Sequence, residues 1–135
     1  MSAEIDFPEP GILEEIVEPE LIAQFARQVE ERAYVIVHLR FKAHHEDFAI
    51  RVWPTTYLIS GTTQHRSRLM HAENLSIAPN WTVVNEGKNH ACTLYFEALP
   101  KDVSIFDLAE IIPEPGGFLF KNIMRNKSDV YLIEA

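Results

Sequence analysis

The stretch that most constrains this chain is HACTLYFEALPKDVSIFDLAE, residues 90–110. Cys92, Leu94 and Phe96 alternate with Ala91, Thr93 and Tyr95. A period of two sends successive side chains to opposite faces of a strand. Both faces here carry apolar groups, so the strand is expected to cross a core. Leu99-Pro100 ends it, because proline offers no N–H to a central ladder. Residues 101–102 turn the chain, and Ile105, Phe106 and Leu108 open another apolar run.

The same alternation begins at Tyr34, where Val35, Val37, Leu39 and Phe41 interleave with Tyr34, Ile36, His38 and Arg40. Phe48, Ile50 and Val52 resume it, with Arg51 and Trp53 on the opposite face. Pro54 bends the chain, residues 55–59 stay extended, and residues 60–63 turn. Residues 69–74 fit either a strand or a short helix. Residues 81–84 form a short strand. Gly87, inside the short loop that follows, predicts a hairpin between that strand and residues 90–97. Runs at 118–123 and 130–133 complete the set. The pattern predicts seven or eight short strands and a mainly β, immunoglobulin-like antiparallel β-sandwich, with a barrel as the alternative.

Upstream the period changes. Leu21, Ile22, Phe25, Ala26 and Val29 recur at helical spacing, with Gln24, Arg27, Gln28 and Glu31 on the other side. Pro19 stands where helices start. An N-terminal helix of three turns is expected there, in one domain spanning residues 19–135. Residues 1–18 hold Pro8, Pro10 and many carboxylates but no lysine or arginine, and read as an acidic arm. Of the net charge of −8, residues 1–32 carry −7 and the remainder −1. No basic stripe is present to displace counterions from a phosphate backbone, so nucleic acid is not an expected partner. No apolar run approaches the roughly 20 residues of a membrane span, and a membrane is not expected either. A single cysteine allows no internal disulfide, and no basic, apolar leader precedes the chain. The expected setting is cytoplasmic.

A resemblance joins this reading. The runs IRVWPTTYLI (50–59), LMHAENLSIAPNWTVV (69–84) and CTLYFEALPKDVSIFDLAEIIPE (92–114) resemble a group of uncharacterised bacterial proteins with an immunoglobulin-like sandwich. In that group a strand of type F-T-L-x-F-x-x-L-P precedes F-D-L-x-E; here Cys92 replaces the first aromatic residue. The resemblance covers residues 34–126. It implies a fold and brings no activity.

The candidate site residues are few. His71-Ala72-Glu73 matches the H-A-E of zinc nucleobase deaminases, but that chemistry also needs a downstream pair of thiolates, and Cys92 is the only cysteine. His44, His45, Glu46 and Asp47 are adjacent, so an extended chain would point them in opposing directions. His90 and Cys92 share a strand face, where a buried structural cysteine is the commoner outcome. Trp53, Tyr57 and Trp81 are aromatic residues suited to a surface contact, and with His71 they form the binding candidates. Asp107 and Glu110 are placed to pair with Arg51 or Arg125. No metal site, cofactor or catalytic set is expected. The sequence favours a non-catalytic interaction module with a protein partner or a second copy of itself. A small-molecule or metal-dependent enzyme using the histidines is the alternative.

Overall fold

The computed structural model describes residues 34–135. The expected helix within residues 19–31 and the acidic arm of residues 1–18 lie outside the described residues. The described chain is mainly β. Its strands are β1 (Tyr34–Phe41), β2 (Phe48–Ile50), β3 (Thr56–Ile59), β4 (Arg66–Glu73), β5 (Thr82–Val84), β6 (His90–Glu97), β7 (Ile105–Glu110), β8 (Leu119–Met124) and β9 (Val130–Glu134). The ambiguous run around residue 70 is strand.

Seven strands form one sheet in the order β8-β7-β3-β4-β6-β1-β9, and β2 pairs with β5 as a separate ribbon. Two expectations change here. The pairing is mixed rather than wholly antiparallel, because the last strand runs parallel to the first, with Ile36 opposite Val130 and Leu39 opposite Ile133. The predicted β5–β6 hairpin does not form: β5 pairs with β2, while β6 lies between β1 and β4. The loop at residues 85–89 is used instead to carry the chain from the ribbon to the main sheet. Gly87 sits there at a φ of 76°, and its N–H bonds the carbonyl of His44 at 2.9 Å. Glu86 N–H likewise bonds Asp47 Oδ1 at 2.7 Å, so this loop is tied to the β1–β2 connection.

Chain connectivity requires the sheet to curl. β8 and β9 are its two edges, yet only six Cα steps separate Met124 from Val130. Those steps span at most about 22 Å, whereas six strand spacings of a flat sheet cover about 29 Å. The curl encloses one face. Val35, Val37 and Leu39 of β1, Cys92, Leu94 and Phe96 of β6, Leu58 of β3, and Phe106 and Leu108 of β7 are packed there with Val52, Val103 and Tyr131. Leu94 and Phe96 are both at 0% exposure, as their alternation predicts. The buried hydroxyls are satisfied: Thr56 Oγ1 donates to Trp53 O at 2.7 Å and Ser67 Oγ to Ala98 O at 3.0 Å.

The gap between the sheet edges is closed by Arg125. Its Nε and Nη2 bond the two carboxylate oxygens of Asp129, each at 3.0 Å. Its remaining donors reach the carbonyls of Leu99, Pro100 and Val103. All five N–H groups of the guanidinium are thus engaged. This corrects the expected pairing of Arg125 with Asp107 or Glu110: Asp107 Oδ1 instead accepts from Asn122 N–H at 2.9 Å, at the β7–β8 register shift.

Candidate functional site

The segment after β2 places the first site residue. Val52 is fully buried, and it bridges in parallel to Ile77. Its N–H bonds Ser76 O and its carbonyl accepts from Ala78 N–H, both at 2.9 Å. Arg51 and Trp53 flank Val52, so they leave the backbone on the side away from it. The opposing strand of chain continues through a turn containing the cis Ala78–Pro79 bond, closed by Asn80 N–H to Ile77 O at 3.1 Å. That turn delivers Trp81, and Thr82 Oγ1 accepts from Ser76 N–H at 2.8 Å to hold the return path.

The result is a guanidinium between two indoles. Arg51 Cζ lies 3.8 Å from the Trp81 ring centroid and 5.3 Å from that of Trp53. Arg51 Nη1 donates to Pro79 O at 3.0 Å, which fixes the plane of the fork. Trp81 is 55% exposed and Val83, beyond it, 65%. Beside the stack is an open hollow of about 360 Å³ lined by Arg51, Trp53, Pro54, Thr55, Ala78 and Pro79.

Glu110 holds this surface to the main sheet. Its Oε2 accepts from Trp53 N–H at 3.0 Å and its Oε1 from Phe118 N–H at 3.4 Å. Burial raises the carboxyl above its ordinary range, while the two backbone N–H groups and the charge of Arg51 pull it back. Gly117 is needed beside it, because a β-carbon there would collide with the backbone oxygen of Glu110.

The other sequence candidates stand elsewhere. His71 tilts against Tyr95 with ring centroids 5.7 Å apart, and an open hollow of about 350 Å³ is lined by Tyr34, Met70, His71 and Tyr95. Tyr57, on β3, lies under Arg66 at 5.2 Å. The four candidates therefore divide: Trp53 and Trp81 meet, and His71 and Tyr57 join other surroundings. The alternation puts Arg51 and Trp53 on one face, but nothing in it brings Trp81 to the same guanidinium. It does not mark Pro79 either.

The remaining histidines have separate neighbours. His38 Nδ1 lies 2.8 Å from Thr93 Oγ1, His44 stacks on Phe48 at 4.1 Å, and His90 Nε2 bonds Asn74 O at 2.6 Å. Among the described residues, no three histidine, cysteine or acidic side chains are grouped to hold a metal ion. Burial pushes the Cys92 thiol up to about 12, so it is protonated at neutral pH and a poor nucleophile. No helix of the described residues is long and apolar enough to cross a membrane. No protein-family model matches the chain, and neither curated proteins nor solved structures include one significantly similar to it.

Proposed function

We propose that this chain is a non-catalytic protein-interaction module whose contact surface is the Trp53–Arg51–Trp81 stack. The observation that carries the reading is an exposed tryptophan stacked on an arginine already held by a backbone carbonyl. Tryptophan and arginine dominate the energetics of protein contacts. A side chain ordered before binding loses less entropy on association. The partner we infer is a polypeptide segment presenting a carboxylate beside an apolar side chain. The carboxylate would meet the guanidinium edge, and the apolar group would lie on the indole or in the adjoining hollow.

The histidines support the module over the enzyme, since His38, His44, His71 and His90 have separate neighbours rather than converging on one another. We read the fold as an immunoglobulin-like sandwich, as the resemblance over residues 34–126 implies, and infer that the β2–β5 ribbon faces the main sheet. We further propose a bacterial setting, which the same resemblance implies, and a cytoplasmic one, in keeping with a lone cysteine.

The test is selection of random peptides displayed on phage against the immobilised full chain, in parallel with Trp81→Ala and Arg51→Ala. The reading expects enrichment of peptides pairing an acidic with an aromatic or aliphatic residue, lost in both variants at unchanged thermal stability. Enrichment that survives in both variants, or none with the parent, overturns it.

A further inference from the structure

A bulge on β4 turns two consecutive side chains away from the core. Leu69 lies opposite Phe96 and His71 opposite Tyr95, so Met70 is the extra residue between them. Leu69 and Ala72 pack against the core, and both Met70 and His71 are exposed. In a regular strand one of the two would point inward. Here both line the open hollow of about 350 Å³, together with Tyr34 of β1 and Tyr95 of β6.

The hollow is bordered by three rings and a thioether. Tyr34 meets Tyr95 edge to face, with centroids 6.5 Å apart and planes at 84°. His71 leans on Tyr95 from the neighbouring strand, at 5.7 Å and 36°. The Tyr95 hydroxyl donates to Glu73 Oε1 at 2.6 Å. That bond sets a carboxylate at the rim and polarises the phenol, which makes the ring face more negative. Among the described residues, the lining contains no lysine or arginine.

These features select a class of ligand. Ring faces beside a carboxylate attract a cation. A primary ammonium is strongly hydrated and needs acceptors to replace its water, whereas a quaternary ammonium presents only methyl groups. A phosphate or carboxylate on the same ligand would face Glu73 with no cation to meet it. β4, β6 and β1 are each flanked by strands on both sides, so an extended peptide finds no sheet edge to join here. The ligand is held by its head alone.

We propose that Tyr34, Met70, His71 and Tyr95, with Glu73 at the rim, bind a small trimethylammonium solute that carries no anionic group. This site is independent of the tryptophan–arginine surface, which uses other segments of the chain.

The experiment titrates the isotope-labelled full chain with choline chloride, against sodium chloride at equal ionic strength, and follows amide and methionine methyl signals by NMR. Signals of Met70, His71 and Tyr95 should shift saturably, and the choline methyl protons should move upfield. The uncharged carbon analogue, with a tert-butyl group in place of trimethylammonium, should bind about tenfold more weakly, since two or more ring contacts lose the charge. Tyr34→Leu and Glu73→Gln, both at exposed positions, should each raise Kd about two- to fivefold at an unchanged thermal midpoint. No saturable shift, shifts centred elsewhere, equal binding of the carbon analogue, or a parental Kd in both variants overturns the proposal. Phosphocholine or a trimethyllysine peptide binding more tightly than choline overturns the assignment to a small, anion-free solute.

Discussion

Arg125→Ala should be among the most damaging single substitutions outside the apolar core. The guanidinium donates to three main-chain carbonyls of the β6–β7 connection and chelates Asp129 in the β8–β9 turn. The side chains of Arg125 and Asp129 are only 18% and 22% exposed. Tyr131 depends on the same group, since its hydroxyl donates to Asp129 Oδ1 at 3.0 Å and accepts from Asn126 N–H at 3.1 Å. Burial raises that phenol to about 12. Truncation leaves a largely buried carboxylate without its cation. Breaking a fully buried pair costs about 3–5 kcal/mol; the residual exposure here admits water, so about 2–4 kcal/mol is expected. Typical domains have about 5–15 kcal/mol in all. Arg125→Lys keeps the charge but offers three donors in place of a planar five, and should recover less than half of the loss. Urea unfolding at neutral pH, followed by tryptophan fluorescence, measures both variants. A loss below about 0.5 kcal/mol for Arg125→Ala, within the range of an ordinary surface change, would refute the argument that this residue joins the sheet edges.

Phe96→Ala should cost about 3–5 kcal/mol by cavity formation, read by the same urea titration; a parental midpoint would remove β6 from the core. Cys92 should resist iodoacetamide in the native protein at pH 8 and react fully in denaturant, as mass spectrometry would show; fast native alkylation would contradict its raised pKa. Glu110 has a folded pKa above its unfolded one, so its contribution to stability is greatest below the ordinary carboxylate range and declines as pH rises through the folded value. The thermal midpoint of the parent minus that of Glu110→Gln should therefore fall between about pH 4 and pH 7, and a difference that grows with pH would reverse the assigned cause.

Much of the main sheet was legible because its strands keep a strict period of two. β1 and β6 alternate without interruption, and their inward residues are the core. The β4 segment was ambiguous for a physical reason: a bulge lies between Leu69 and His71, so the alternation breaks at Met70. The partner of β5 was illegible. A short loop containing glycine fits a hairpin, and only the long-range match of Phe48 with Val84 shows that β2 is the actual neighbour. The parallel pairing of β9 with β1 likewise joins chain ends that no local pattern connects. Of the candidate site, Trp53 and Trp81 were visible as single aromatic residues. Their meeting around Arg51 depends on the Val52–Ile77 bridge, a contact 25 residues apart that periodicity cannot register.

The central claim is that the exposed tryptophan–arginine stack is a protein-binding surface. Fluorescence anisotropy of a labelled peptide taken from the phage selection, titrated with the full chain, tests it most directly. Removing a contact residue worth about 2 kcal/mol weakens binding about 30-fold. Trp81→Ala is therefore predicted to raise Kd about 30-fold, and Arg51→Lys, which keeps the charge without the planar stack, at least several-fold. Trp81→Ala binding within twofold of the parent, at the same thermal midpoint, would contradict the account.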